Sequence, residues 1–490
     1  MTKDSDIQSV LDRAQNNLAA IDQVAAYLLH KRHDLKPALG AYRTYIANQP
    51  GSANAAFNYA YYLSKDGQFE SAVKVYERAL TSGIANPEEV HLNIANIYMD
   101  HLKQGQKAKQ HLQRSLAINP GYASAYYNLG NLWEQEGERE QAIRCFEQCL
   151  NFDPANESAL ARLADAHKFE GKRDALLSRL VQVAQKSANS DLHFALGRIY
   201  DQLGEFDLAW RHFKKGNTLD RQVLPLYDRS ATEALFDRIA SQFSPQWLNR
   251  FSGQSDENVF ICGMFRTGST LLEQVFAAHP SFTAGGENEY FPRLVSRELE
   301  CFPEGLENLE AESVRKWRQQ HSAHMLRLFA GSARVTDKRP DNFLHIGLIK
   351  AVLPSARFIV TERDWRDVAT SIYSIRLGAG QNYSTSLDNI KHYIDLQKKL
   401  VDHWQSLLGA DLIRVRYEDL VNEPETTVSA LLENLGEAWD ERCLDFNKLR
   451  NTVQTASVWQ VREPLHSKSV ERWKNYRAYF EKAFGPAVSD

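Results

Sequence analysis

The stretch Val259–Gln274, VFICGMFRTGSTLLEQ, decides how the second half of the chain is read. It opens with an apolar β-type run, Val259-Phe260-Ile261-Cys262. A turn bounded by Gly263 and Gly268 follows, and a helix-like stretch starts at Ser269-Thr270-Leu271-Leu272. Strand, glycine loop and helix start make an anion-binding arrangement. The glycines let backbone N–H groups converge, and the helix start adds unpaired donors and a positive dipole end. The spacing G-x-x-x-x-G-S-T departs from the P-loop of nucleoside triphosphatases at one residue, because Ser269 stands where that motif needs Lys. Arg266, inside the loop, offers a planar fork suited to a tetrahedral anion. An ordinary strand-to-helix turn is the plain alternative for so short a motif.

The totals set broad limits. A chain of 490 residues holds two or more domains. A net charge of −4 gives no reason to expect bulk nucleic-acid or membrane binding. No apolar run approaches the roughly 20 residues that cross a bilayer. The polar start Met1–Asp6 does not read as a signal peptide. The five cysteines are scattered without a CxxC pair, which fits a reducing compartment, so a cytoplasmic location is expected.

The first half repeats itself. Pro120 and Pro154 are 34 residues apart, as are Gly137 and Gly171, and Gly204 lies 33 further on. From Ala123 to Asn156 the residues Tyr126, Leu129-Gly130, Trp133, Ala142, Phe146 and Pro154 fall at the spacing of a tetratricopeptide repeat, a helix–turn–helix unit. A second unit has Phe57, Ala60, Leu63, Ala72, Tyr76 and Ala79, and another has Leu196-Gly197, Tyr200, Ala209 and Phe213. About six units resembling such repeats are expected over residues 19–223. Stacking them creates a core and a concave surface. The tyrosines Tyr59, Tyr61, Tyr62, Tyr126 and Tyr127 lie at helical spacing and read as packing between helices. The surface is expected to hold a protein or peptide partner, with packing or self-assembly as the equal alternative.

The expected organisation is an all-α repeat solenoid over 1–223, a helical junction over 224–255, and a P-loop-like three-layer α/β domain with a parallel sheet over 256–490. Strands are expected at Val259–Cys262, Arg334–Thr336, Arg357–Thr361 and Leu412–Arg416. Ligands in such sheets bind beyond the carboxyl ends of the strands. The glycine loop, Asp337-Lys338-Arg339-Pro340, Glu362-Arg363-Asp364 and Tyr417-Glu418 all follow those ends. Ser371 lies eight residues after Arg363, about two helical turns on, so the two could clamp a second phosphate. A structural Arg363–Asp367 bridge is the plain alternative.

On these residues the α/β half resembles sulfotransferases that use 3′-phosphoadenosine 5′-phosphosulfate (PAPS), most closely the protein-tyrosine sulfotransferase branch. FRTGSTLLEQ is similar to that family's PRSGTTL loop, with Phe265 in place of Pro. HPSFTAGGENEYFPRLV, from His279, resembles the family stretch HP…GEE-T-R-x-x-PR, and TASVWQVREPLHSKSVERWKNY resembles the late segment that closes over the cofactor. The resemblance covers residues 256–480. It implies that Arg266, Thr267, Gly268, Ser269 and Thr270 hold the 5′-phosphate, and that Arg363 and Ser371 hold the 3′-phosphate. Arg472 falls on a basic phosphate contact. It also implies Glu287 as catalytic base, Lys338 as a contact to the sulfuryl group and Ser457 as a residue near the transferred sulfonate. Glu289 stands where the family carries Arg, so tyrosine-peptide specificity is left open. His279 and His345 are rival bases, since related enzymes use His.

The resulting expectation is a metal-free, PAPS-dependent sulfotransferase acting on a hydroxyl of a protein or peptide held by the repeats. Nucleic acid and a membrane span are not expected, and homo-oligomerisation stays open. Two alternatives remain: a carbohydrate or small-molecule acceptor with the repeats used for assembly, or a non-enzymatic adaptor with a degenerate nucleotide fold. A P-loop kinase is disfavoured by Ser269.

Overall fold

A computed structural model describes residues 11, 17–31, 34–169, 171–251, 253–299, 301–332, 334–449, 451–455 and 458–489. The chain forms two compact units, one of residues 1–134 with 138–159 and one of residues 135–137 with 160–490. The first is helical. Its helices pair in sequence: Leu18–Lys31 with Lys36–Asn48, Ala53–Lys65 with Phe69–Thr81, Pro87–Asn96 with Gly105–Ile118, and Ala123–Glu136 with Arg139–Phe152. Two further pairs, Glu157–Ala166 with Ala175–Ala184 and Ser190–Gln202 with Phe206–Val223, lead into the second unit.

The pairing rule is visible in the sequence. A small residue on the first helix faces a large one on the second, 16 positions later: Ala60 and Tyr76, Gly130 and Phe146, Gly197 and Phe213. A Cβ built on Gly130 would lie 2.5 Å from the Phe146 ring, and one on Gly197 only 2.3 Å from the Phe213 ring. Close packing of the helices therefore depends on the missing methyl. The tyrosines behave as packing residues: Tyr42 stacks on Tyr59 and Tyr62, Tyr126 on Phe152, and Tyr127 lies against Phe146.

The second unit is built on a five-stranded parallel sheet of order β2-β3-β1-β4-β5. The strands are β1 (Val259–Gly263), β2 (Phe282–Ala284), β3 (Arg334–Lys338), β4 (Arg357–Glu362) and β5 (Leu412–Arg416). The four expected strands are present, and β2 is an addition. It has only three residues, too few to display an alternating pattern. β1 is buried at every position and pairs with β3 and β4. Its side chains alternate between two layers. Phe260 and Cys262 join Phe358, Val360 and the helix Leu387–Leu408 on one face. Val259 and Ile261 join Ile359 and the helix Ser269–Ala277 on the other.

Within the segment 224–255, the helix Arg229–Gln242 puts Phe236 and Ile239 into the first of these layers, followed by Phe243, Trp247 and Phe251. Among the described residues no helix is long and apolar enough to cross a membrane.

Replacing Gly197 by Val should lower stability by about 1–3 kcal/mol, the usual cost of overpacking a filled site. Gly40, inside the helix Lys36–Asn48, is different: a Cβ added there would have open space for 4 Å around it. Gly40→Ala should therefore stabilise by about 0.5–1 kcal/mol. Urea unfolding followed by circular dichroism reads both; equal shifts would contradict the close-approach argument.

Candidate functional site

The site forms where β1 and β4 end side by side. After Gly263 the chain turns through Met264–Gly268 into the helix Ser269–Ala277. Gly268 has φ +93°, and a Cβ there would sit 2.6 Å from the Tyr417 ring, so glycine is required on both counts. The first N–H groups of the helix have no intrahelical partners and face the loop's concavity. Thr267 braces the turn from inside: its hydroxyl donates to the Met264 carbonyl at 2.7 Å and meets the Thr361 hydroxyl at 2.7 Å.

Arg266 has φ +71°, a conformation that costs a residue with a Cβ about 1–2 kcal/mol. The strain aims its guanidinium. Nε donates to Ser371 Oγ at 2.8 Å and Nη2 donates to Gln460 Oε1 at 2.9 Å. Arg363, the first residue after β4, lies 4.5 Å above the centre of the Tyr417 ring. It donates through Nη1 to the Arg266 carbonyl at 3.2 Å and through Nη2 to the Ser469 carbonyl. The alternative expectation is also met in part: Arg363 pairs with the buried Asp367 carboxylate at 3.7 Å, one turn on. Asp367 is also occupied elsewhere: its two oxygens accept the Glu471 and Trp473 N–H groups at 2.7 and 2.9 Å. Arg472, between those residues, pairs with Asp201 at 2.8 Å.

Arg266, Gly268, Ser269, Thr270, Arg363, Ser371 and Arg472 thus line one cleft, of about 760 Å³ counted out to open solvent. Tyr417, Phe446 and Leu465 supply apolar walls. Burial first, then the charges of Arg363 and Arg472, push Arg266 down to about 10. Burial also pulls Arg363 below the usual guanidinium range. Cations that depress one another in a partly dry cleft describe a place for an anion.

A second cluster lies beyond the end of β3. Lys338 Nζ donates to Glu287 Oε1 at 2.8 Å, with the lysine side chain 1% and the glutamate 35% exposed. Neither lines the cleft just described. One helix links the two places. Glu273, on the helix whose first turn lines the cleft, accepts from the Gly286 N–H at 2.9 Å and the Thr336 hydroxyl at 3.1 Å, fixing the loop that carries Glu287. Burial raises the Glu273 carboxyl above its ordinary range, and nearby Lys338 opposes the rise. Ser457 lies outside the described residues.

The rival bases have other duties. His279 accepts the Ser281 N–H at 3.2 Å on Nδ1 and contacts the Ala438 carbonyl at 3.0 Å through Nε2, which makes it a turn clamp. Burial pushes His345 down to about 4. Among the described residues no group of three His, Cys, Asp or Glu side chains is placed to hold a metal ion.

Some contributors escape sequence reasoning. Gln460 and Ser469 fall inside the late segment picked out by resemblance, but nothing within it marks these two residues, and Asp201 lies more than 60 residues before the loop. Tyr417 was readable in position, since it follows β5, but not in its role as a platform for Arg363.

Comparison with known proteins gives the class. Residues 258–441 match the model of the Sulfotransferase family. Residues 53–82, 123–156 and 190–223 match tetratricopeptide repeat models. The second half of the chain is thus similar to sulfotransferases, and stretches of the first half to tetratricopeptide repeats. It is 25% identical over 409 residues to an uncharacterized protein of Aquifex aeolicus, a match covering 80% of this chain and 53% of the relative. It is 23% identical over 262 residues to protein-tyrosine sulfotransferase A of Caenorhabditis elegans, covering 49% of this chain and 65% of that one. The chain thus spans about half to two-thirds of the length of these curated relatives. The sulfotransferase domain of a Synechococcus PCC 7002 olefin synthase aligns at 22% identity and a TM-score of 0.35, over 46% of this chain and 89% of that one.

Asp337 yields a pH test. Burial, reinforced by the Glu273 charge, raises its carboxyl from 3.8 to about 8, although Arg339 and an Asn342 hydrogen bond at 3.1 Å pull the other way. Between those values the folded state binds more protons than the unfolded state, so this group's contribution to stability falls as pH rises. Asp337→Asn should therefore gain stability relative to the parent protein between about pH 5 and pH 8. Urea midpoints at both pH values read this; a difference independent of pH would show that Asp337 is ionised throughout.

Proposed function

We propose that the second unit is a sulfotransferase that takes a sulfuryl group from PAPS and passes it to an acceptor hydroxyl, on a protein or peptide held by the repeats. What carries this reading is the set of Arg266, Arg363 and Arg472 lining one cleft at a helix N-terminus, with Arg266 depressed by burial and by its neighbours. A nucleotide bearing two separate phosphates answers that need. The lack of a lysine at Ser269 argues for this donor over a nucleoside triphosphate.

The residues fit the donor as follows. Backbone N–H groups from Gly268 to Thr270, with Arg266, would hold the 5′-phosphate. Arg363 and Ser371, which line the same cleft, would hold the 3′-phosphate, and Arg472 would close the cleft. Bound PAPS supplies a sulfuryl group on a phosphate leaving group. The reaction breaks one sulfur–oxygen bond, forms another to the acceptor oxygen and releases the acceptor's proton. Glu287 would take that proton, with the Lys338 ammonium 2.8 Å away orienting its carboxylate. Lys338 would also balance charge building on the sulfuryl oxygens, as would Ser457. Positioning and electrostatic stabilisation account for most of such a transfer.

Adenosine 3′,5′-bisphosphate should raise the melting temperature of the whole chain, with no comparable rise from Mg-ATP. No response to either favours the adaptor alternative. Glu287→Gln should lose sulfuryl transfer from labelled donor by at least about 100-fold, the size expected of a general base. Its bisphosphate affinity should not change. Normal turnover in this variant would remove Glu287 from the mechanism.

A further inference from the structure

The repeat nearest the sheet contributes to the donor cleft itself. Arg472 is held at two levels. Its backbone is pinned by Asp367, which accepts the N–H groups of both flanking residues. Its side chain is pinned by Asp201, on the repeat helix Ser190–Gln202. Asp201 is divided between two donors: one oxygen takes Arg472 Nη2 at 2.8 Å and the other takes the Tyr476 hydroxyl. Both partners of the ion pair are largely buried, at 23% and 15% exposure. An arginine so gripped, and lining the cleft, loses little rotamer entropy on binding.

We propose that Asp201 is a positioning residue of the donor site, presenting Arg472 to a phosphate of the nucleotide, so that the last repeat completes the cleft. This rests on the donor reading given above. The same joint contains an internal control. Arg376 pairs with Asp191 at 3.1 Å, also between that repeat helix and the sheet domain, and with Asp220 at 3.3 Å, but none of the three lines the cleft. General loosening of the joint should affect both pairs; positioning of Arg472 should depend on Asp201 alone.

The test uses the full chain and isothermal titration with adenosine 3′,5′-bisphosphate. Asp201→Asn should weaken binding about tenfold, roughly the loss of one charge-assisted contact. Arg472→Ala should weaken it at least as much. The double variant should be no worse than Arg472→Ala, because Asp201 acts only through that residue. In transfer assays Asp201→Asn should raise the donor KM while leaving kcat within about twofold. Asp191→Asn should bind like the parent protein, and circular dichroism and melting confirm that each variant is folded. If Asp201→Asn binds normally, if Asp191→Asn is equally weakened, or if the Asp201 and Arg472 losses add, the positioning role is overturned. If the parent protein does not bind the bisphosphate, the donor reading itself fails and takes this role with it.

Discussion

Bringing Arg266, Arg363 and Arg472 to one cleft sets like charges against one another, and much of the second unit is arranged around that conflict. At an effective dielectric near 20, two unit charges a few ångströms apart repel by about 2–4 kcal/mol. Burial sharpens the effect, as the lowering of Arg266 to about 10 records. Each guanidinium is therefore held by groups that neutralise it only in part. Arg266 donates to a hydroxyl and an amide, Arg363 has two carbonyls, an aromatic face and the Asp367 carboxylate at 3.7 Å, and Arg472 has one carboxylate already divided with a tyrosine. Carbonyls and amides orient a cation without cancelling its charge. The cleft keeps its positive potential, and the arrangement relaxes fully only when an anion arrives.

The sheet makes that concentration of charge geometrically feasible. Parallel pairing of β1 with β4 brings their two carboxyl ends to the same edge, so the glycine loop and Arg363 become neighbours although 97 residues separate Arg266 from Arg363. The helix Trp365–Tyr373 then carries Asp367 and Ser371 back along that edge. Asp367 anchors the backbone around Arg472 while Ser371 receives Arg266. One helix therefore positions two of the three cations. Trp210, on the repeat helix Phe206–Val223, stacks on Tyr373 at the end of that same helix. The rigidity of the cleft is in this way continuous with the packing of the last repeat.

Much of this was legible in the chain alone. The glycine loop, four strands and the repeat spacing are local patterns, and local patterns survive into the fold because backbone geometry enforces them. Arg266, Arg363 and Ser371 were nameable for the same reason: each follows a strand end at fixed spacing. What was not legible depends on contacts between distant segments. Pairing Ser371 with Arg266 is a tertiary choice among hydroxyl partners. β2 is too short to announce itself, and it is held by its register against β3, Phe282 opposite Arg334. Asp201 is one acidic residue among many on a repeat surface, and nothing nearby in sequence marks it as the partner of a residue 271 positions later.

On the proposed reading, the unequal burial of the Glu287–Lys338 pair has a physical sense. A fully buried base would be shielded from an acceptor arriving from solution, and a fully exposed one would hydrogen-bond to water. Glu287, at 35% exposure, keeps an open side for the acceptor, while Lys338, at 1%, has little access to solvent. A buried ammonium is costly without a counter-charge, so Lys338 holds Glu287 as much as Glu287 holds Lys338. Once the carboxylate takes up a proton, that counter-charge is lost. Negative charge on a transferring sulfuryl group would then replace it, so the same lysine would stabilise the base before transfer and the migrating group during it.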